Sequence, residues 1–338
     1  MSGETPHEAT RHRWGRWRLP TWATVILWIP TVAMAVVALM RIVAWDDLEL
    51  FAVLNCVTLV IYLPAWFVAP VAALGRRFVL AGAALLIMVA QVAFLYPELS
   101  AAEPVPSWAA HAPSFRLLDA NVYSGNPSMA GYARQIAQVS PELVTLEEAN
   151  PPDVRQLLAS GVLATLPHRV EVDRYDPFAF FVACRYPLWG THVMSLFGRP
   201  LIVQTTIALP SGPLTLWVVH AIAPLPVSFD QWKQQLASID RALRSRGPSR
   251  IIVVGDFNAT WGTKGFRAIL DDGVVDAAAA RGSVLSMTWS QTKPIVPPLV
   301  RIDHVLTSLG VTATQIRTDE GPGSDHRDLI ATIAVRRR

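Results

Sequence analysis

The sequence predicts an α/β domain of two packed sheets flanked by helices, preceded by three transmembrane helices. The first hundred residues contain three long apolar stretches. From Phe115 onward, short apolar strands alternate with amphipathic helices, and many strands with few helices favour two packed sheets over one doubly wound sheet. The mean hydropathy of +0.33 is too high for an ordinary soluble protein of 338 residues.

The three apolar stretches are Trp22–Met40, Leu50–Val71 and Phe78–Leu95, each close to the roughly 20 residues that span a bilayer. One such stretch could be a signal peptide, but three in succession favour retained helices. Buried core helices fit less well because the stretches lack a polar face. We expect a basic leader (1–21), an anchor (22–96), a linker (97–113) and an outer domain (114–338).

The charged loops predict the orientation of the anchor. The second loop carries Arg76 and Arg77, the first loop carries acidic residues, and the leader is basic through Arg11, Arg13, Arg16 and Arg18. Because positive loops stay in the cytoplasm, the N-terminus is expected inside and the outer domain outside, in a multi-pass protein of the cell membrane. Arg41, at the outer end of the first helix, counts weakly against this orientation.

Cysteine and charge content restrict the class of protein. Cys56 lies in the second apolar stretch and Cys184 in the outer domain, so a disulfide between them is implausible and the exported domain must depend on a large core. Residues 97–338, which are the linker and the outer domain together, hold 22 Lys/Arg against 21 Asp/Glu. A near-neutral domain lacks the general attraction to a phosphate polyanion, which makes a nucleic acid partner unlikely.

The elements of the outer domain follow from hydrophobic periodicity. The predicted strands are Phe115–Ala120, Glu142–Leu146, Phe178–Cys184, Leu201–Leu209, Leu214–His220, Ile251–Gly255, Arg301–Thr307 and Leu329–Val335. The predicted helices are Ser128–Val139, Pro152–Ser160, Ser228–Arg246 and Thr263–Asp271. The third helix has the clearest amphipathic pattern, and Ser228 is expected to cap its first turn.

Polar side chains gather at the ends of these strands. Asp256 and Asn258 follow a buried apolar strand, and alternation along an extended chain places both on one side. Asp303 lies beside another strand, and Asp325 and His326 precede the last one. Carboxylate, amide and imidazole groups collected at strand ends are what metal-assisted phosphate ester chemistry requires.

Further motifs occur in a fixed order along the chain. They are Leu118–Val122 with Asn121, Leu143–Glu148 with Glu148, Phe180–Pro187, Leu216–Ala221 with His220, Gly255–Asn258, Arg301–His304 and Ser324–His326. Together they resemble the endonuclease/exonuclease/phosphatase superfamily, the DNase I-like phosphoesterases, over Phe115 to Val335. The resemblance implies a four-layer α/β/β/α sandwich with its active site at the strand ends of two facing sheets.

The resemblance also implies the site residues and their roles. Mg²⁺, with Mn²⁺ as the alternative, would be held by Asn121, Glu148 and Asp325, with two alternatives left open: Asn121 holding the phosphate instead, and Asp325 supporting the metal site by a hydrogen bond. Asp256 would orient or deprotonate the attacking water, while His220 and Asn258 would donate to the substrate phosphate. Asp303 would fix the tautomer of His326, and His326 would contact the scissile phosphate.

Some positions depart from the family pattern. Glu147 stands where the family has Gln, and Cys184 where it has Ser. Whether Glu147, Cys184 or Arg185 takes part stays open, although a packed thiol is favoured over a nucleophile. His304 is interpreted as a neighbour of the site, and Trp261 and Trp289 as core residues or as lining of the cleft.

Three N-terminal helices before such a domain resemble the bacterial VanJ-type branch, which is associated with teicoplanin resistance. This resemblance implies a phosphoesterase acting on a lipid-linked cell-envelope substrate, or on another phosphorylated small molecule, in contact with membrane lipids at the outer face. Two alternatives remain: an extracytoplasmic nuclease, and a catalytically inactive module that binds a phosphorylated envelope ligand.

Overall fold

A computed structural model of the chain describes residues 18–174, 176–247, 249–292 and 297–337. The apolar N-terminal part forms five helices: α1 (Thr21–Val43), α2 (Glu49–Cys56), α3 (Thr58–Ile61), α4 (Leu63–Leu74) and α5 (Phe78–Leu99). Two of them, α1 and α5, are long and apolar enough to cross a membrane. The leader through residue 17 lies outside the described residues.

The second apolar stretch does not form the single helix that the sequence had predicted. Helix α2 and the segment Thr58–Leu74 are bent by 82° relative to each other, so the pair is at most one broken span. Pro64 lies in the first turn of α4, where its missing N–H costs little. Further inside a continuous helix it would leave the carbonyl of Val60 without a donor, which accounts for the interruption at Tyr62 between α3 and α4 but not for the 82° bend at Val57.

The outer part folds into two six-stranded sheets. Its strands are β1 (Ser114–Asn121), β2 (Leu143–Glu147), β3 (His168–Val172), β4 (Phe180–Cys184), β5 (Leu188–Leu196), β6 (Arg199–Leu209), β7 (Gly212–His220), β8 (Ile251–Asp256), β9 (Val274–Asp276), β10 (Asp303–Ser308), β11 (Val311–Glu320) and β12 (Arg327–Val335). The first sheet has the order β11-β12-β1-β2-β4-β3, and the second β5-β6-β7-β8-β10-β9. All eight predicted strands are present.

Helices cover the outer faces of both sheets. They are α6 (Ala130–Val139), α7 (Pro151–Ala159), α8 (Phe229–Ser245), α9 (Lys264–Leu270) and the single turn α10 (Ala277–Ala280), and a 3₁₀ helix, Ser107–His111, precedes β1. A core that includes Phe180, Val218 and Ile252 fills the space between the sheets. Helices α6 and α7 pack on the first sheet, and α8 and α9 on the second. The two sheets and their helices therefore form the four-layer sandwich.

Helix α8 spans almost the predicted range, but its N-terminus differs from the prediction. Ser228 precedes the helix without a side-chain capping bond. Its hydroxyl donates instead to the carbonyl of Ala223 at 2.7 Å. The apolar side of the helix buries Trp232, Leu236 and Ile239 against the second sheet, and this burial accounts for its position.

Candidate active site

The register of the second sheet brings three predicted site residues together. His220 and Asp256 are partners in the parallel pair β7/β8, and Asp303 faces Asp256 in the antiparallel pair β8/β10. Asn121 ends β1 in the facing sheet, and Glu148 follows β2. Sequence-distant polar groups therefore meet at one edge of the sandwich because their strands end there.

Asp256 lies at the centre of this cluster, and its side chain is almost completely buried. Its Oδ2 is 3.1 Å from Nδ2 of Asn258 and 3.3 Å from Nδ2 of Asn121. The Nε2 atoms of His220 and His326 lie 3.8 Å and 3.9 Å from the same oxygen. One carboxylate oxygen therefore faces two amide groups and two imidazole rings.

Glu148 supplies a second carboxylate. Its Oε1 is 3.1 Å from Nδ2 of Asn121 and 3.7 Å from Nε2 of His220. Its Oε2 accepts from the backbone N–H of Ser124 at 2.9 Å. The backbone of Glu148 has φ of 58°, the left-handed conformation that costs energy for a non-glycine residue and that clusters at functional sites.

Asp303 and His326 form a hydrogen-bonded pair, as the sequence comparison had implied. Nδ1 of His326 lies 3.0 Å and 3.1 Å from the two carboxylate oxygens of Asp303. This contact makes Nδ1 the protonated nitrogen and directs Nε2 toward Asp256. Burial alone would lower the pKa of His326, but the carboxylates of Asp303 and Asp256 raise it to about 10.

Asp325 lies at the rim of the cluster. Its Oδ1 is 4.0 Å from Nε2 of His326, and its Oδ2 accepts from the indole N–H of Trp289 at 3.0 Å. Trp289 is partly exposed and therefore belongs to the cleft rather than to the core. All eight predicted site residues are thus linked in one network.

The position of Asn258 does not match the role implied for it, which was to donate to the substrate phosphate. Its side-chain amide donates to the carbonyl of Ala221 at 2.9 Å and to Asp256, and its backbone N–H donates to Oδ1 of Asp256 at 2.7 Å. Both amide hydrogens are therefore engaged within the protein. In this arrangement Asn258 orients the carboxylate of Asp256.

Sequence reasoning assigned no role to several residues that support the site. The hydroxyl of Ser324 donates to the carbonyl of Asn121 at 2.7 Å and accepts from the N–H of His326 at 3.0 Å. Thr288 accepts from the N–H of Asp303 at 3.3 Å. Ser324 belongs to a motif that the sequence displayed, so that signal was available, whereas nothing near Thr288 indicates its contact.

The residues left open by the sequence lie behind the site. Cys184 is buried in the core between the sheets, and burial raises the pKa of its thiol to about 11, so it stays protonated. Glu147 is fully buried, and burial together with the nearby Asp119 raises its pKa well above the usual range. Arg185 is half-exposed and pairs with Glu142 at 3.5 Å. His304 and Trp261 contact Asp276 rather than the cluster.

The donor set fits a hard divalent cation. Glu148, Asp256 and Asp325 offer carboxylates, and Asn121 offers an amide, which are the ligand types of Mg²⁺ and Mn²⁺. Burial and the adjacent carboxylate of Asp303 raise the pKa of Asp256 well above its usual range, and a cation would relieve this repulsion. Asp256, Asp303 and His326 also bring one potential ligand atom each within 4.8 Å of one another. Because Asp303 is engaged by Nδ1 of His326, the cation fits better at the carboxylates of Glu148 and Asp256. The side chain of Asn121 presents Nδ2 to both carboxylates, and its Oδ1 accepts from the backbone N–H of Tyr123, so Asn121 braces the two carboxylates here instead of offering its oxygen to a cation.

Comparison with known proteins agrees with this geometry. Residues 120–326 match the model of the Endonuclease/Exonuclease/phosphatase family. TDP2 from D. rerio, complexed with a single-strand DNA product, superposes with a TM-score of 0.54 at 19% identity, covering 66% of this chain and 99% of that chain. An endonuclease/exonuclease/phosphatase from Beutenbergia cavernae gives 0.51 at 14% identity, covering 66% and 72%. The 3′–5′ exonuclease NExo from Neisseria meningitidis gives 0.50 at 16% identity, covering 64% and 98%. No curated protein matches the chain.

Proposed function

The chain belongs to the endonuclease/exonuclease/phosphatase family, and from that premise we propose that it is a membrane-anchored, metal-dependent phosphoesterase. Its substrate is a lipid-linked phosphate ester or anhydride of the cell envelope, hydrolysed at the outer face of the membrane. The family consists of phosphoesterases and nucleases that typically depend on a divalent cation. In this proposal the chain is of the VanJ type, and its activity contributes to teicoplanin resistance.

The position of the site relative to the anchor carries the lipid assignment. The loop that follows Asn258 contacts the ends of the apolar helices: the indole of Trp45 donates to the carbonyl of Gly262 at 2.9 Å, and Asp46 accepts from the N–H of Lys264. The loop that leaves the catalytic edge after Asn258 therefore rests on the anchor. A site held at this level meets a membrane-embedded phosphate at high local concentration.

The residues of the cluster divide the work of hydrolysis. A divalent cation, which Glu148 and Asp325 would hold, would neutralise negative charge that develops on the substrate phosphate. Asp256 holds the attacking water and accepts its proton, while Asn258 keeps the carboxylate oriented. His220 and His326 donate to the phosphoryl oxygens as negative charge develops on them.

Asp303 keeps the second imidazole in place. Its carboxylate accepts from Nδ1 of His326, so Nε2 stays turned toward the reacting phosphate. Glu148 and Asp325 are the carboxylates proposed for the cation, and Asn121 holds Glu148 through its side-chain amide. Both side-chain amide hydrogens of Asn258 are engaged, by Ala221 and Asp256, so Asn258 acts through Asp256 and not on the phosphate itself.

One assay tests this function against its two alternatives. Full-length protein in detergent micelles is given Mg²⁺ and, in separate reactions, a prenyl pyrophosphate, a phospholipid and DNA. We expect phosphate release from a lipid substrate, loss of this activity with a chelator, and recovery with Mg²⁺ or Mn²⁺. Nicking of DNA without lipid hydrolysis would instead identify a nuclease, and ligand retention without turnover a binding module.

A further inference from the structure

The loop Ala259–Thr263, here called the catalytic loop because it continues directly from Asn258, is held by residues of both long apolar helices. We propose that the anchor helps to hold the active site in place. Arg41, Trp45 and Glu98 are positioning residues that hold the catalytic loop, and the loop in turn holds Asn258 and Asp256. This inference rests on the proposed phosphoesterase function.

The first contact comes from the end of α1. Nη1 of Arg41 donates to the carbonyl of Gly262 at 2.7 Å, and the indole N–H of Trp45 donates to the same oxygen. The guanidinium lies 5.2 Å from the Trp45 ring and 4.8 Å from the Phe94 ring, and Arg41 is only 4% exposed. A charged donor held between aromatic faces gives a strong and directional bond to the loop.

The second contact comes from the end of α5 through a buried relay. Glu98 pairs with Arg301, and Nη2 of Arg301 donates to Asp276 at 3.1 Å. Asp276 is 3.1 Å from Nδ1 of His304, and Nε2 of His304 is 3.0 Å from the carbonyl of Ala259. The relay thus links the third apolar segment to the first residue of the catalytic loop.

Asp276 also holds the middle of the loop, because it accepts from the indole N–H of Trp261 at 2.7 Å. Arg301, Asp276 and His304 are each almost completely buried, so solvent does not weaken these bonds. The start, middle and end of the catalytic loop are therefore fixed by contacts that lead to the anchor.

Close packing adds to the hydrogen bonds at Gly262. A Cβ atom built on this glycine would lie 1.9 Å from the carbonyl oxygen of Asn55 in α2. Apart from the carbonyl group of Asn55, the nearest obstacle is Oγ1 of Thr260 at 3.1 Å, within the loop itself. The anchor, rather than the sandwich, is thus what requires glycine here.

The hydrogen-bond network transmits a loop displacement to the reacting groups. The backbone and side chain of Asn258 both hold Asp256, and Ala259 follows it directly. Small displacements of a catalytic carboxylate have large kinetic effects, on the order of 100-fold for about 1 Å. A contact that served only to attach the domain would lower stability without this effect on turnover.

The test uses the full-length protein in micelles with bis(4-nitrophenyl) phosphate, a water-soluble diester, so that delivery from the membrane does not enter. Gly262→Ala should lower kcat on the order of 10- to 100-fold with little change in KM, because it separates the loop from α2. Gly82→Ala is the matched control, since a Cβ atom there has no neighbour within 4 Å.

Milder variants cover the case in which Gly262→Ala fails to fold. Trp45→Phe keeps the ring and removes one donor, and Arg41→Met removes the other; both should lower kcat, and Arg41→Lys should restore part of it. Amide hydrogen exchange of residues 259–263 should rise in step with the loss of kcat.

Two negative outcomes separate the claims. If these variants exchange faster in the loop but turn over like the wild type, the positioning role is wrong while the phosphoesterase function stands. If the wild-type protein hydrolyses neither this diester nor any lipid phosphate, the proposed function itself fails, and the positioning role with it.

Discussion

Asp256 shows at the level of one residue how this fold makes a site. His220 is its partner across the parallel strands β7 and β8, and Asp303 is its partner across the antiparallel strands β8 and β10. Because side chains on paired strands at the same register point to the same face, a carboxylate and an imidazole separated by 36 positions come into contact. The facing sheet adds Asn121 from the end of β1.

Removal of the central carboxylate or of the second imidazole should abolish hydrolysis. Asp256→Ala removes the group that holds water, and His326→Ala removes a donor to the phosphoryl oxygens. Loss of one such donor typically costs ~10²–10³ in rate. Phosphate release at saturating substrate measures the effect, and circular dichroism checks that the fold is intact.

Asp319→Ala serves as the control for these two variants. Its carboxylate is exposed on β11 and pairs with Arg317 at 2.7 Å. Exposed pairs of this kind contribute little, about 0–1 kcal/mol. Wild-type turnover in either Asp256→Ala or His326→Ala would contradict the assigned chemistry.

The site residues were predictable from the sequence for a particular reason. Asn121, Glu148, His220 and Asp256 each stand directly at or after the end of an apolar strand, so a local pattern marks them. That these residues would meet in one place was predicted only by the resemblance of the ordered motifs to the family, because a single strand does not indicate which strand it pairs with. One of the two amide hydrogens of Asn258 is bound by the carbonyl of Ala221, 37 positions away. The sequence around Asn258 does not indicate this contact.

At the level of elements, strand prediction succeeded where both faces of a strand are buried. β4 and β8 are buried at every position and appear as continuous apolar runs. β5 and β11 were missed because they lie at sheet edges and expose residues such as Thr191, His192 and Gln315. Polar edge strands protect the sheet against further pairing, and the same property hides them in the sequence.

The pairing of β8 with β7 requires a glycine at position 255. Its φ is +117°, and an added Cβ atom would lie 2.2 Å from the carbonyl of Val219 and 2.9 Å from a carboxylate oxygen of Glu147. We expect Gly255→Ala to destabilise the protein by about 1–2 kcal/mol from the backbone conformation and by ~1–3 kcal/mol more from the clash. It should also lower activity, because Asp256 follows directly.

Gly161→Ala is the matched comparison for this prediction. Gly161 also has a positive φ, +74°, but an added Cβ atom there meets nothing within 4 Å. It should therefore show the conformational cost alone and keep full activity. Denaturant midpoints of both variants measure the difference. Equal destabilisation of the two variants would show that β7 shifts to make room for the extra atom.

At the scale of the whole molecule, the two ends of the anchor differ in charge and in neighbours. At one end Arg77 donates to the carbonyl of Leu19 at 2.6 Å, so the basic second loop lies beside the start of α1. At the other end Asp46 and Glu98 contact the sandwich. The bent segment α2–α4 connects these two ends, although sequence hydropathy alone predicted a single helix there.

The contacts of Arg41 mark the limit of sequence reasoning at this scale. In the sequence, Arg41 was a positive charge on the wrong side of the membrane. In the structure its guanidinium is buried and donates to the carbonyl of Gly262, 221 positions away, so this charge serves a contact with the domain. A contact over such a separation leaves no periodic or local pattern, and only the folded chain displays it.

Because positive charge marks the cytoplasmic side, the end with Arg76 and Arg77 is expected inside and the sandwich outside. This orientation requires an odd number of crossings, so α2–α4 must return through the bilayer between α1 and α5. Alkaline phosphatase fused after Arg338, which is active only outside the cytoplasm, should be active, and green fluorescent protein at the same position should be dark. Fusions truncated after Gly75 should behave in the opposite way. Fluorescence from the fusion after Arg338 would place the catalytic edge in the cytoplasm and remove the outer-leaflet substrate from consideration.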